Sequence, residues 1–99
     1  MPSEVDLNFD WDEGKARANL RKHRFSFEEA KTVFGDPFSV TIDDPAHSAS
    51  EYRFVDIGTS ASGMILTVAY AERGKKTRLI SCRKATKAER KIYEETKNF

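Results

Sequence analysis

Three strand-patterned segments follow one another between Tyr52 and Arg83 with only short glycine turns between them. Tyr52–Thr59 leads through Ser60-Ala61-Ser62-Gly63 into Met64–Ala71, and a turn centred on Arg73-Gly74-Lys75 leads into Thr77–Arg83. Connections this short favour antiparallel hairpins, because a parallel return needs a long crossover. The pattern therefore predicts a meander around which the remaining segments have to pack.

Two helices are expected before it. Val5, Leu7, Phe9 and Trp11 alternate with Asp6, Asn8 and Asp10, which reads as a short first strand. A cap of the D-x-x-E kind at Asp10-Trp11-Asp12-Glu13 then opens a helix to about His23. On it Ala16, Asn19, Leu20 and His23 share one face, and Arg17, Arg21 and Arg24 another. Ser26 and Glu29 form a second capping box, and Phe27, Ala30, Lys31 and Phe34 follow helical spacing. Gly35-Asp36-Pro37 is expected to end that helix through a left-handed glycine. Phe38–Ile42 is a further strand candidate, followed by a polar loop containing His47. After the meander, Thr86 and Glu89 make a T-x-x-E capping box for a last helix over Lys87–Lys97.

The order β-α-α-β-β-β-β-α predicts an α+β fold: a short N-terminal strand, two helices, an antiparallel sheet of about four strands and a C-terminal helix. The helices are expected on one sheet face, with the other partly open. Strict alternation would point Ile80 and Cys82 one way and Leu79, Ser81 and Arg83 the other, with Arg83 on the open side.

The 99 residues suit one domain, 1–99. One third are charged, yet the signs nearly cancel at +1, so only clustering can point to an anionic partner. Arg17, Arg21, Lys22, His23 and Arg24 form one cluster; Lys75, Lys76, Arg78, Arg83, Lys84 and Lys87 form another. The single cysteine, Cys82, cannot make an internal disulfide and reads as a small buried group, which suits a reducing cytoplasm. The acidic start lacks an apolar stretch, so no signal peptide is expected, and no apolar run is long enough to span a bilayer.

Several short pieces in fixed order resemble one family. Trp11-Asp12-Glu13, Ala18-Asn19-Leu20, Lys22-His23, Phe27, Glu29-Ala30, Val33-Phe34 and Asp36-Pro37 look like the N-terminal half of BrnT toxins. Arg53-Phe54, Ile57-Gly58, Glu72-Arg73 and Ile80-Ser81-x-Arg83-x-Ala85-Thr86-x-x-Glu89-Arg90-x-x-Tyr93 look like the C-terminal half. The resemblance implies a RelE-like fold and the toxin half of a type II toxin–antitoxin pair, acting as a ribonuclease that inhibits translation. It also implies a BrnA-type antitoxin of the ribbon-helix-helix class, a hetero-oligomer with it, and contact with DNA only through that antitoxin. The chain departs from the family pattern at three places: many relatives carry His at the position of Tyr70 and Thr at that of Ala71, and they often have Gly at that of Arg24.

RNA carries its own nucleophile, the 2′-hydroxyl, so cleavage needs a base, an acid and cations for the transition state. No compact Asp/Glu/His spacing suggests metal ligands, and a mechanism without metal or cofactor is the simpler expectation. Arg83 is the first candidate for phosphate stabilisation, since a guanidinium stays charged and grips two oxygens; its competing reading is a salt bridge. Lys22 and His23 follow, His23 because an imidazole can move a proton in catalysis, although its helical face also suits a buried histidine. Glu72 and Arg73 are a candidate base and phosphate ligand at a hairpin, or an ordinary charged turn. Arg53, expected to reach across the sheet toward Arg83, joins Tyr70, Arg78, Lys84 and Arg21 as candidate RNA-binding residues. The alternative is a non-catalytic module that binds RNA or a protein partner on the same open sheet face.

Overall fold

A computed structural model describes residues 9–44 and 52–97. Val5 and Leu7 of the expected first strand, and His47, lie outside the described residues. The elements are β1 (Phe9–Asp10), α1 (Glu13–His23), α2 (Phe27–Val33), β2 (Val40–Asp43), β3 (Tyr52–Thr59), β4 (Ile65–Arg73), β5 (Lys76–Lys84) and α3 (Lys87–Lys97). They form the expected α+β fold. The sheet has the order β1-β5-β4-β3-β2, and β1 joins it parallel to β5 while every other pairing is antiparallel. It is thus a five-stranded mixed sheet rather than a purely antiparallel one of four.

The caps act as hydrogen-bond partners for orphaned helix ends. Asp12, not Asp10 of the expected D-x-x-E box, caps α1 by accepting from the Lys15 N–H at 2.9 Å, because the helix already starts at Glu13. Ser26 accepts from the Glu29 N–H at 3.0 Å, but the Glu29 carboxylate does not close that box. It turns instead to the Ser60 hydroxyl, 2.7 Å away, and to Ser62, tying the β3–β4 turn to α2. At α3 both halves of the box form: Glu89 N–H to Thr86 Oγ1 at 3.2 Å, and Thr86 N–H to Glu89 Oε1 at 2.8 Å. The end of α2 departs from expectation. Gly35 is not left-handed; tight bonds from Gly35 N–H to Thr32 and from Asp36 N–H to Val33, both 3.1 Å, close the last turn instead. The left-handed cap belongs to α1, where Arg24 takes φ 69° and its N–H reaches the Leu20 carbonyl.

The main core lies between the sheet and α1 and α2. Phe27, Ala30 and Val33 of α2 pack on Leu66, Val68 and Tyr70 of β4 and Leu79 and Cys82 of β5. Phe34 stands edge-on to Phe9 and Tyr70, with ring centroids 4.9 and 5.0 Å apart. Leu79 and Cys82 both face this core because the β4–β5 register shifts at Ala69/Tyr70, leaving Ile80 as an extra, unpaired residue. The alternation read from the sequence, which separated Leu79 from Cys82, fails at that bulge.

The third helix is not on the same side as the first two. Tyr93 and Ala85 pack with Ile57, beside Val40, Val55 and Ile65, in a second cluster. Ile57 is the register partner of Thr67, so this cluster occupies the opposite face of the sheet from Leu66 and Val68. Asp36 anchors α3 there: its Oδ2 accepts from the Tyr93 hydroxyl at 2.6 Å and the Thr59 N–H at 2.8 Å. The second face is therefore covered at one end and open at the other.

Candidate functional site

That face is laid out by register. Across β3, β4 and β5, Arg53 is level with Ala71 and Arg78, Val55 with Ala69 and Ser81, and Ile57 with Thr67 and Arg83. Three cations thus share one sheet face. Arg53 does not reach toward Arg83 as expected: it lies in the Arg78 row, roughly 13 Å along the strands from the Arg83 row. Asp10, beside Arg78 on β1, makes an ion pair with it at 3.5 Å.

Arg83 sits where this face meets the first turn of α3. Its Nη1 donates to Glu89 Oε1 at 2.7 Å and its Nη2 to Glu89 Oε2 at 3.0 Å, a two-pronged ion pair. Glu89 Oε1 also accepts from the Thr67 hydroxyl at 2.9 Å. The Arg83 hydrogen bonds are the main reason the Glu89 carboxyl falls to about 2; burial opposes the shift, and the Thr86 N–H and Thr67 hydroxyl reinforce it. The same bonds raise the Arg83 guanidinium further above its ordinary value. The salt bridge weighed for Arg83 is present, yet the side chain remains 40% exposed.

Lys22 and His23 come together with Ile80 and Ser81 in a shallow cleft of about 240 Å³ along the β5 edge, floored by Ala18 and Asn19. Ser81 shares the open face with Arg83 and lies about 7 Å before it along β5. The cleft therefore adjoins the Arg83 row. Asn19 builds it: the side-chain amide donates to the Cys82 carbonyl at 2.8 Å and accepts from the Cys82 N–H at 3.0 Å. It is the buried residue of α1, whereas Leu20, expected on the same apolar stripe, is 48% exposed. Cys82 beside it is buried as expected, and burial pushes its thiol up to about 12.

The remaining candidates are dispersed. Glu72 and Arg73 lie at the β4–β5 hairpin, roughly 20 Å along the strand from the Arg83 row in the case of Arg73. They do not join Lys22, His23 and Arg83 in one constellation. Tyr70 is 94% shielded on the helix-covered face. It stacks on Phe54 with centroids 5.6 Å apart, and its hydroxyl donates to Asp56 at 3.0 Å. Its ring is not presented to the open face. Burial raises the Asp56 carboxyl, and desolvation beside Asp56 raises the Tyr70 phenol. Arg21 is exposed on α1, and Lys84 lines a separate cleft with Met64, Ile65 and Arg90.

Glu89, Thr67, Ser81 and Asn19 were not among the candidates. Glu89 was legible as a cap, six residues beyond Arg83; Ser81 was legible as its alternate neighbour; Thr67 becomes visible only with the register. Among the described residues no three His, Cys, Asp or Glu side chains come together as a metal site, and no helix is long and apolar enough to cross a membrane.

Among curated protein sequences none matches this chain significantly. The crystal structure of the Brucella abortus ribonuclease toxin BrnT superposes with a TM-score of 0.60 at 23% identity, covering 81% of this chain and 97% of that one. That likeness establishes the fold. The family described as ribonuclease toxin, BrnT, of type II toxin–antitoxin systems matches residues 11–89. A match over that share of the chain shows that it belongs to the BrnT family of ribonuclease toxins.

Proposed function

We propose that this protein is a metal-independent endoribonuclease that inhibits translation in the cytoplasm and is neutralised by a BrnA-type ribbon-helix-helix antitoxin. The observation that carries the reading is that the cleft of Lys22, His23 and Ser81 lies about 7 Å along β5 from Arg83, on the sheet face where three cations line up. In this reading RNA lies along the open face and its scissile phosphate meets Arg83. The guanidinium balances the charge that develops on the phosphorane oxygens. His23, beside Lys22, exchanges the proton of the 2′-hydroxyl or of the departing 5′-oxygen. Arg53, Arg78 and Lys84 hold flanking phosphates, while Glu72 and Arg73 at the hairpin contact the strand further along. DNA is reached only through the antitoxin within a toxin–antitoxin hetero-oligomer.

The test is incubation of the antitoxin-free chain with structured RNA in excess EDTA, beside a folded Lys22→Ala/Arg83→Ala variant. Discrete cuts made by the wild type alone are expected. Cuts by both proteins would remove these residues from the site. Intact RNA with binding that weakens steeply in salt would instead mark a non-catalytic RNA-binding module.

A further inference from the structure

Glu89 grips only one side of Arg83. Its two oxygens take Nη1 and Nη2, and the other contact of the guanidinium is a long one, 3.4 Å from Nη1 to the Lys84 carbonyl. A guanidinium carries five N–H donors in a rigid plane, arranged so that one edge pairs Nη1 with Nη2 and another pairs Nε with Nη2. Among the described residues nothing accepts from Nε. The Nε–Nη2 edge is therefore available, on a side chain that is 40% exposed.

The carboxylate that holds the first edge is itself fixed from three sides. Glu89 Oε1 accepts from the Thr86 N–H at 2.8 Å and the Thr67 hydroxyl at 2.9 Å, and its own N–H is bound to Thr86. β4 supplies Thr67, β5 supplies Arg83, and the start of α3 supplies Thr86 and Glu89. A long, flexible side chain is thereby set in one orientation before any ligand arrives. Such preorganisation matters because a displacement of about 1 Å in a reacting group can cost about 100-fold in rate.

We propose that Glu89 is a positioning residue, and that Arg83 binds the RNA phosphodiester through its Nε–Nη2 edge while Glu89 keeps its hold on the other. The identity of the anion as RNA rests on the ribonuclease reading above; the two-edged geometry does not. The opposite arrangement, in which phosphate displaces Glu89, predicts a different result in the same experiment.

The experiment combines arginine side-chain NMR with kinetics. The probe is a short 2′-deoxy oligonucleotide, which presents phosphates but lacks the hydroxyl needed for cleavage. On titration the Arg83 Nε–H resonance and one Nη2 proton are expected to shift, while the Nη1 resonance keeps the position set by Glu89. In Glu89→Gln the amide oxygen still serves the Thr86 cap and Thr67, so the fold is kept. The Nε response is expected to broaden, and kcat on RNA to fall about 100-fold with KM changed far less. An unmoved Nε–H, an Nη1 resonance that loses the Glu89 signature on binding, or a Glu89→Gln enzyme cutting at the wild-type rate would each overturn the proposal. A wild type that leaves RNA intact would defeat the ribonuclease reading instead, and the NMR arm would still decide how Arg83 takes an anion.

Discussion

The side chain of Asn19 bonds to both the N–H and the C=O of Cys82, 63 residues away, and so takes the place of a strand neighbour on the β5 edge. Among the described residues, the first strand pairs with β5 at Thr77 and Arg78. Beyond it, the carboxamide presents the same donor and acceptor that a further strand residue would have offered. Its second N–H reaches the Phe25 carbonyl at 3.0 Å, which also fixes the α1–α2 junction.

Replacing Asn19 with Ala leaves the buried Cys82 pair without partners, and orphaned backbone groups cost about 1–3 kcal/mol. Urea denaturation is expected to show Asn19→Ala destabilised by about 2–3 kcal/mol. Asn19→Asp, which keeps the acceptor but loses the donors, should not restore the loss. A variant within 0.5 kcal/mol of wild type, roughly the scatter of ordinary surface changes, would deny the amide this role.

Arg24 holds a left-handed backbone, φ 69°, at a position where glycine carries no steric penalty. Arg24→Gly is expected to raise stability by about 1 kcal/mol, seen as a higher denaturation midpoint with an unchanged slope. A lower midpoint would mean that the arginine side chain makes up for its backbone.

Gly58 has no room for a methyl group: a Cβ there would stand 3.0 Å from both the Ser39 Cβ and a Val33 methyl and 3.2 Å from Asp36 Oδ2. Gly58→Ala pushes the end of α2 off the sheet and is expected to cost about 1–3 kcal/mol. Because Asp36 also holds Tyr93, the change should raise hydrogen exchange in α3 as well as in α2. Unaltered exchange in α3 would separate the two.

Acid should loosen the first turn of α3. The folded Glu89 carboxyl titrates at about 2, below its ordinary 4.5, mainly through the Arg83 hydrogen bonds. A depressed carboxyl adds stability above its unfolded value, and that stability is lost as pH falls through the folded one. Asp36 works in the same direction: burial opposes the shift, but hydrogen bonds from Thr59, Tyr93 and Phe38 and the Lys97 charge outweigh it. Asp56, raised by burial, works in the opposite one. Denaturation midpoints taken from pH 6 down to pH 2.5 should therefore fall more gently in Glu89→Gln than in wild type. Parallel curves would mean that the ion pair adds nothing to folding.

Where local chemistry decides, the sequence was readable. The box at Thr86, the Ser26 half of the second box, the glycine turns at Gly63 and Gly74, and the meander formed as their residues suggest, while the first cap moved from Asp10 to Asp12. What depends on distant partners was not. The parallel seat of β1, the passage of α3 to the other face and the row occupied by Arg53 are set by packing and register. Asn19 carried a faint mark, an amide within an otherwise apolar helical stripe. Arg83 stood out as a cation at a strand end, but its partner became evident only when Glu89 proved to cap and to pair at once.

The unpaired Ile80 has a consequence for the charge on the sheet. Arg78 and Arg83 are five positions apart, an odd interval that would put two side chains of an ideal strand on opposite sides. One surplus residue resets the phase between them, so that both look outward while Leu79 and Cys82 look inward. Removing that single residue would leave the composition of β5 almost unchanged and yet turn one of the two arginines into the apolar interior. The cationic surface of this toxin thus depends on a counting irregularity in its last strand as much as on the charges themselves.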